Sequence, residues 1–209
     1  MSFSGFSIKH MFATPFVTAS FAPEVAARIN AELAPFILER EKKFPSARAS
    51  NMGGWQSDHN LPEWGGPAVA EILEALRELV DHVTLHQTEE GFERVAIGWK
   101  INGWANVNWK GDINVMHSHP GAFWSAVYYV QEGGGEGGEL EVLDPRGPLP
   151  IVYCPLLRFG IQGYTTAGGG EDHQPLPGQC VLFPSWLQHA VKPMTGEGAR
   201  ISLAFNFSV

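Results

Sequence analysis

The sequence predicts a mainly β chain with N-terminal helices, an α+β protein whose β part forms a closed or double-sheet core of the jelly-roll kind. Two amphipathic helical segments lie within residues 1–91, and eight or nine short strand-like runs separated by turns follow in residues 92–209. Glycine (24 residues) and proline (15) are frequent, which favours many turns. We expect one domain, 1–209, with a helical layer at 1–91 and a β core at 92–209.

The two helical segments carry apolar residues at helical spacing. The first covers residues 23–43 and begins at a proline, which suits the first helical turn. Pro35 lies inside it and predicts a kink or a break. The second runs from Pro67 to about His86 and combines one apolar stripe with charged residues on its other faces. Residues 50–60, between the helices, are predicted to form a loop.

The β part is predicted from short runs rich in β-branched and aromatic residues, bounded by glycine and proline. The predicted strands cover residues 92–100, 104–109, 113–119, 124–131, 139–143, 151–159, 179–183, 190–192 and 200–207. The glycine-rich run 163–170 is predicted to be a loop, which could act as a mobile lid, although most such loops are connectors.

Composition excludes several classes of partner. A net charge of −8 opposes binding to a phosphate backbone or an anionic membrane, so we expect no nucleic acid and no membrane partner. No apolar run reaches the ~18 residues of a membrane span, and no export signal opens the chain, so a cytoplasmic location is expected. The two cysteines, Cys154 and Cys180, are predicted to be buried and unpaired. The expected partner is an unidentified small-molecule or peptide substrate, and the sequence is compatible with a homodimer.

Three histidines have the spacing of a metal site. His117 and His119 lie two residues apart on a predicted strand, so their side chains project from one face. His189 follows a distant predicted strand. Two ligands from one strand and a third from another would occupy one face of an octahedral ion and leave three positions open. Imidazole suits Fe, Zn, Cu and Ni, so the residue type alone does not select the metal.

The last predicted strand places an arginine beside a serine. Its alternation puts Arg200, Ser202 and Asn206 on the less apolar face. If that face lines the interior, a buried guanidinium needs an anionic partner, and a guanidinium with a hydroxyl matches a carboxylate. The alternative is an exposed edge strand with a solvated arginine. By their place on neighbouring strands, four further residues are candidates for the same pocket: Asn106, Asn108, Trp124 and Ser125.

These residues resemble the non-haem Fe(II)- and 2-oxoglutarate-dependent oxygenases of the double-stranded β-helix fold, above all an uncharacterised bacterial and phage branch. Residues 104–129 resemble the first metal strand and the strand after it. The second half of the pattern is Gly-x-x-x-Leu-Phe-Pro-Ser-x-x-x-His, from Gly178 to His189, with a closing Arg200-x-Ser202. The run 54–57, Gly-Trp-Gln-Ser, also recurs in that branch, so the resemblance covers most of the chain.

The resemblance implies an Fe(II) metal, 2-oxoglutarate as co-substrate and hydroxylation of an unknown substrate. It implies that His117 and His189 bind the iron. Arg200 and Ser202 would bind the distal carboxylate of 2-oxoglutarate, and Tyr129 matches the position of a tyrosine that often contacts the same carboxylate. Tyr128 and Tyr129 point to opposite faces of their strand, so only one of them can face the interior.

The departure from the family pattern is His119, where most members have aspartate or glutamate. His119 could be a third histidine ligand, or it could lie beside a site whose carboxylate comes from elsewhere. In a third interpretation it is the first ligand and Gly121 holds a non-ligating position, as in related halogenases. Same-face geometry favours the first interpretation. The nearby Asp112 and Asp144 are expected to serve turns.

Two other functions stay open on sequence alone. Gly111 and the pair His117-x-His119 match the start of a cupin motif, but no glutamate follows at Phe123 or Trp124. A three-histidine metalloenzyme that does not use 2-oxoglutarate therefore remains an alternative, as does a non-catalytic binding module on the same fold. Arg200 favours the oxygenase, because a pocket without an acidic co-substrate has no evident need for an interior arginine.

Overall fold

Two antiparallel sheets face each other, and helices cover the outer side of the larger one. The computed structural model describes residues 4–147, 152–162 and 168–209. The helices are α1 (Pro23–Lys43), α2 (Leu61–Trp64) and α3 (Gly66–Val83). The strands are β1 (Val17–Ser20), β2 (Asn51–Met52), β3 (Trp55–Gln56), β4 (His86–Thr88), β5 (Gly91–Glu93), β6 (Lys100–Asn108), β7 (Ile113–His117), β8 (Trp124–Glu132), β9 (Leu140–Leu143), β10 (Gly170–His173), β11 (Gln179–Pro184), β12 (His189–Val191) and β13 (Arg200–Ser208).

The order of the strands confirms the predicted jelly-roll architecture. The larger sheet has the order β1-β11-β8-β13-β6-β3, the smaller one β10-β9-β12-β7-β2, and β4 pairs with β5 alone. In both large sheets neighbouring strands are mostly distant in sequence, as expected when one chain winds between two sheets. The short strands β1, β2 and β3, which precede residue 92, join these sheets beside the helices.

The main core lies between the larger sheet and the helices. The apolar stripes of α1 and α3 pack on the outward face of β13, where Ile201, Leu203, Phe205 and Phe207 are all fully buried. Burial of each such side chain stabilises the fold by roughly 1.5–3 kcal/mol. A smaller cluster fills part of the space between the sheets and includes Tyr129, Leu140 and Phe183. One face of β13 therefore serves the main core, and its other face is turned toward the smaller sheet.

The helix predictions hold except at two points, the interior of α1 and the end of α3. Helix α1 continues through Pro35 without a break. Pro35 is exposed, whereas Ile29, Leu33 and Ile37 on the buried face pack without interruption, so tertiary packing outweighs the missing hydrogen bond. Helix α3 ends at Val83, three residues before His86, because the buried Thr84 leaves the helical conformation and its hydroxyl donates to the carbonyl of Val80 (2.6 Å).

Two strand predictions were wrong. Of residues 92–100, only Phe92, Glu93 and Lys100 lie in strands. The intervening segment binds helix α3 instead, since the indole of Trp99 donates to the carboxylate of Asp81 (2.7 Å). Residues 152–162 contain no strand, and the Leu156 side chain is 95% exposed, so this apolar run pairs with no sheet in the described part of the chain. Ile151 and residues 163–167 of the predicted loop lie outside the described residues.

The cysteine prediction was half right. Cys180 is buried on β11, whereas Cys154 is exposed in the segment that forms no strand. The prediction of a buried cysteine was therefore wrong in the same segment in which the predicted strand was wrong. In the described ranges, no helix has both the length and the apolar character needed to cross a membrane.

Candidate active site

Three histidine rings meet between the two sheets. His117 ends β7 and His189 begins β12, and the two residues face each other as Cα partners in the smaller sheet. His119 lies two residues beyond β7, where its backbone N–H donates to the carbonyl of Ser185 (2.8 Å). The ring centroids are 5.0 Å (117 to 119), 4.4 Å (117 to 189) and 4.9 Å (119 to 189) apart. One nitrogen of each ring lies within 4.8 Å of the others, close enough to bind one metal ion together.

The Nδ1 atoms of all three rings point away from this meeting point to hydrogen-bond partners. His117 Nδ1–H donates to the carbonyl of Val115 (2.7 Å), and His189 Nδ1–H donates to that of Leu187 (2.9 Å). His119 Nδ1 contacts the side-chain oxygens of Asn206 (2.7 Å) and Ser125 (2.8 Å). Because a backbone carbonyl only accepts, Nδ1 of His117 and of His189 must carry the proton, which leaves Nε2 as the ligand atom.

The surroundings keep these rings neutral. Burial, and next the proximity of His117, lowers the pKa of His189 to about 3. The same two causes lower the pKa of His119 to about 4, against a hydrogen bond to Asn206 that raises it. Burial also lowers the pKa of His117 itself, although contacts with backbone carbonyls oppose the shift. Neutral imidazole is the form that binds a metal, so at neutral pH the three rings are in the protonation state that a metal ion would require.

Arg200, the first residue of β13, lines the same cavity between the sheets as the three histidines. Its residue is only 1% exposed, and its Nε–H donates to the carbonyl of Gly138 (2.9 Å). One terminal nitrogen donates to Ser202 Oγ (3.2 Å) and to Asn108 Oδ1 (3.4 Å). Among the described residues Arg200 forms no salt bridge. Burial lowers the pKa of Arg200, against Tyr129 and the Glu139 carboxylate, which raise it, and an arginine stays charged. The hydrogen-bond partners of this buried cation are therefore all neutral groups.

Tyr129 completes this end of the pocket. The Tyr129 side chain points from β8 into the same cavity. The guanidinium carbon of Arg200 lies 5.5 Å from the centre of the Tyr129 ring. Its hydroxyl is buried and has no hydrogen-bond partner within the described ranges. Burial raises the pKa of Tyr129 to about 12, so the group remains an O–H donor. Tyr128 points the other way, as predicted, and its hydroxyl donates to Asn30 (2.7 Å).

All six predicted site residues line one interior cavity. It is bounded by both sheets and by the side chains of His117, His119, His189, Arg200, Ser202 and Tyr129. Of the four pocket candidates, Asn106 lines the cavity, while Asn108 and Ser125 hydrogen-bond to Arg200 and His119. Trp124 does not reach it, because it packs in the main core and its indole donates to Thr84.

Sequence reasoning did not single out Asn206 as a partner of His119. The signal was present, because strand alternation had placed Asn206 on the face of Arg200 and Ser202.

The two acids near the motif, Asp112 and Asp144, serve turns, as expected. Asp112 accepts from the backbone N–H of Trp109 (2.8 Å), and Asp144 accepts from Arg146 (2.6 Å). In the part of the chain that the structure describes, the group of residues able to hold a metal contains the three histidines and no carboxylate.

Comparisons with known proteins agree with this arrangement. A family model described as "Putative 2OG-Fe(II) oxygenase" matches residues 102–206, half of the chain. No curated protein sequence matches significantly.

Solved structures of similar fold cover nearly the whole chain. A prolyl-4-hydroxylase from Pseudomonas putida is 18% identical, with a TM-score of 0.60 over 93% of this chain and 92% of that one. A prolyl hydroxylase from Trichoplax adhaerens, in complex with a hypoxia inducible factor peptide, is 12% identical, with a TM-score of 0.63 over 92% and 83%. HygX from Streptomyces hygroscopicus, with nickel, 2-oxoglutarate and hygromycin B bound, is 14% identical, with a TM-score of 0.60 over 93% and 83%. At these identities the likeness shows the fold alone.

Proposed function

The chain belongs to the 2OG-Fe(II) oxygenase family, whose model matches half of it, and on this premise we propose that it hydroxylates its substrate at an iron ion held by His117, His119 and His189. Fe(II) and 2-oxoglutarate are the metal and the co-substrate of the family. We propose that Arg200, Ser202 and Tyr129 bind the 2-oxoglutarate in the same cavity.

The observation that carries the metal assignment is the state of His119. Its Nε2 atom is buried and has no hydrogen-bond partner among the described residues. A buried polar atom without a partner is costly, and binding to an ion would satisfy it. In His117 and His189 the hydrogen bond to a backbone carbonyl occupies Nδ1, so Nε2 is the nitrogen left to bind the ion. The donor set therefore fits a divalent metal with three histidine ligands, and three positions remain open for other ligands.

The far end of the cavity fits a carboxylate. Arg200 supplies a buried positive charge that forms no salt bridge with a described carboxylate, and Tyr129 supplies a buried O–H without an acceptor among the described residues. Ser202, the Cα partner of Tyr129 across β13 and β8, adds a hydroxyl. A dianionic co-substrate anchored by one carboxylate here would satisfy the charge and the hydroxyl together. The cavity thus supports 2-oxoglutarate over the three-histidine alternative that does without it.

When bound, the metal and the co-substrate supply the oxidising chemistry, in which oxygen converts 2-oxoglutarate to succinate and carbon dioxide and one oxygen atom enters the substrate. The protein residues orient the participants. The three imidazoles would hold the ion, and the Arg200 guanidinium, which is itself held by the Gly138 carbonyl, would bind the distal carboxylate of the co-substrate. The burial of these residues keeps water away from the reacting groups.

The test uses the purified protein under anaerobic conditions. Addition of Fe(II) and 2-oxoglutarate should produce the weak visible charge-transfer absorption of a metal-chelated 2-oxo acid, and admission of oxygen should then release succinate. Arg200→Ala should lose the absorption at 2-oxoglutarate concentrations that saturate the wild type. Arg77→Ala, at an exposed position of α3, is the matched control and should behave as wild type. Equal 2-oxoglutarate binding by Arg200→Ala would contradict the proposal. Absence of any absorption in the metal-loaded wild type would also contradict it, and would favour a three-histidine metalloenzyme that does not use 2-oxoglutarate or a non-catalytic binding module.

The substrate class follows from the relatives only in outline. One similar structure holds a peptide fragment and another holds hygromycin B, so related enzymes act on peptides or small molecules. We propose a substrate of one of these classes for this chain. The cytoplasmic location and the homodimer stay predictions, which cell fractionation and size-exclusion chromatography with light scattering would test.

A further inference from the structure

We propose that Asn206 and Ser125 are positioning residues that hold His119 in the tautomer able to bind the metal, and that they thereby make this a three-histidine centre. The inference rests on the proposed function, since it names the residues that prepare one of its three ligands. Neither residue touches the substrate or the co-substrate in this role, because both act through the ring of His119.

The three side chains form a closed hydrogen-bonded triangle. Asn206 Oδ1 lies 2.7 Å from His119 Nδ1, and Ser125 Oγ lies 2.8 Å from the same nitrogen. Ser125 Oγ–H donates to Asn206 Oδ1 (2.8 Å). Ser125 and Asn206 are Cα partners on the neighbouring strands β8 and β13, and Ser125 is only 1% exposed. Their positions are therefore set by the centre of the larger sheet rather than by a loop.

His119 needs such support because its backbone does not supply it. His117 and His189 each donate Nδ1–H to a backbone carbonyl two residues upstream, at Val115 and Leu187. A carbonyl of the main chain accepts whatever the side chains around it are, so the tautomer of these two rings is fixed by the fold. His119 lies past the end of β7, and its Nδ1 partners are side chains. Its tautomer therefore depends on residues that substitution can change.

The amide of Asn206 decides which nitrogen of His119 carries the proton. If its oxygen faces Nδ1, the proton is on Nδ1 and the Nε2 lone pair points into the site. If its NH₂ group faced Nδ1, the proton would be on Nε2, which is buried and has no acceptor among the described residues. Hydrogen-bond satisfaction and metal binding thus select the same arrangement, in which Oδ1 accepts from Nδ1–H.

The tautomer can be measured without any metal. In the ¹⁵N-labelled apo protein, imidazole nitrogen shifts should show His119 protonated on Nδ1 and bare on Nε2. Asn206→Leu should lose this preference, whereas Asn206→Asp, which keeps an acceptor oxygen in place, should retain it. Asn102→Leu is the matched control, because Asn102 is the exposed Cα partner of Asn206 on β6 and does not contact the ring. It should leave the shifts of His119 unchanged.

Metal binding provides a second readout, with Co(II) alone as the calorimetric probe. Asn206→Leu should weaken Co(II) binding about 10–100-fold, the usual cost of removing a residue that orients a metal ligand. Asn206→Asp and Asn102→Leu should bind close to wild type. Where Leu at position 206 prevents folding, as judged by circular dichroism, Asn206→Ala takes its place with the same expectation.

Two results would overturn the inference: a wild-type apo protein with the His119 proton on Nε2, or an Asn206→Leu protein with wild-type tautomer and Co(II) affinity. Failure of the proposed function is distinguishable from both. If the wild type binds no metal, the proposed three-histidine metal site is wrong. Comparison of the His119 imidazole shifts in Asn206→Leu and Asn102→Leu would still decide whether Asn206 sets the tautomer.

Discussion

Replacing Tyr129 with phenylalanine should have opposite effects on the apo protein and on its complex. The Tyr129 hydroxyl is buried and has no partner among the described residues. Leaving a buried hydroxyl unsatisfied costs about 1–3 kcal/mol, so its removal should raise the free energy of unfolding of the apo protein by about 1 kcal/mol or more. In the complex the same hydroxyl would donate to the co-substrate carboxylate, and that bond is lost in the variant.

The size of the second effect follows from the charge of the acceptor. A hydrogen bond to a charged group contributes about 1.5–3 kcal/mol, which corresponds to roughly a 10–150-fold loss of 2-oxoglutarate affinity. The effect should hold from neutral to mildly alkaline pH, because burial raises the pKa of Tyr129 to about 12 and the phenol stays protonated there. Urea unfolding of the apo protein and 2-oxoglutarate titration of the metal-loaded protein measure the two effects.

Tyr128→Phe is the matched control for the neighbouring position. Its hydroxyl donates to Asn30 Oδ1 (2.7 Å) on the helical side of the sheet. Its removal should destabilise the apo protein by about 0.5–1.5 kcal/mol and leave 2-oxoglutarate affinity unchanged. An apo Tyr129→Phe protein less stable than wild type, with unchanged 2-oxoglutarate affinity, would refute the reasoning, because the hydroxyl would then have a structural partner and no role in the site.

Three further predictions concern the scaffold. Phe205→Ala removes a fully buried ring of the main core and should lower the free energy of unfolding by about 3–5 kcal/mol in urea titrations, and a loss below 1 kcal/mol would show that the core repacks there. Thr84→Val leaves the indole of Trp124 without its acceptor and should cost about 1–3 kcal/mol in the same assay, whereas unchanged stability would mean that the indole finds another partner. In the native protein a thiol reagent should modify Cys154 and spare Cys180, whose pKa is raised to about 12 by burial, and both thiols should react after unfolding. Equal reaction of the two in the native state would contradict their placement.

The elements whose apolar residues follow a regular spacing, such as β13 and α3, were predictable from the sequence. The alternation of β13 assigned each residue to one of two faces, and the structure has Ile201 and Leu203 against the helices and Arg200 and Ser202 in the cavity. The amphipathic stripe of α3 was equally clear. In one of the failed predictions a contact distant in sequence decided the outcome, because Asp81 binds Trp99 and holds the segment before β6 out of a strand.

The candidate site was predictable in its residues but not in its geometry. The spacing of His117 and His119 suggested one continuous strand, yet β7 ends at His117. His119 keeps its direction because its backbone is tied to Ser185, on the turn that precedes His189. The hydrogen-bond partner Asn206 could not be chosen from sequence, since strand alternation gives the face of a residue and says nothing about which side chain on another strand it meets.

Strand β13 has the apolar main core on one face and the polar cavity on the other. Insertion of a single residue into β13 would exchange its two faces beyond the insertion. A phenylalanine would then enter the polar cavity, and an asparagine would enter the main core under the helices. Length changes in this strand should therefore abolish folding and catalysis at once. Insertions in the preceding segment 195–199 would keep the alternation of the strand, but this segment is itself fixed, because the backbone N–H groups of Thr195 and Gly198 donate to the carbonyls of Glu136 (2.8 Å) and Gly133 (3.0 Å).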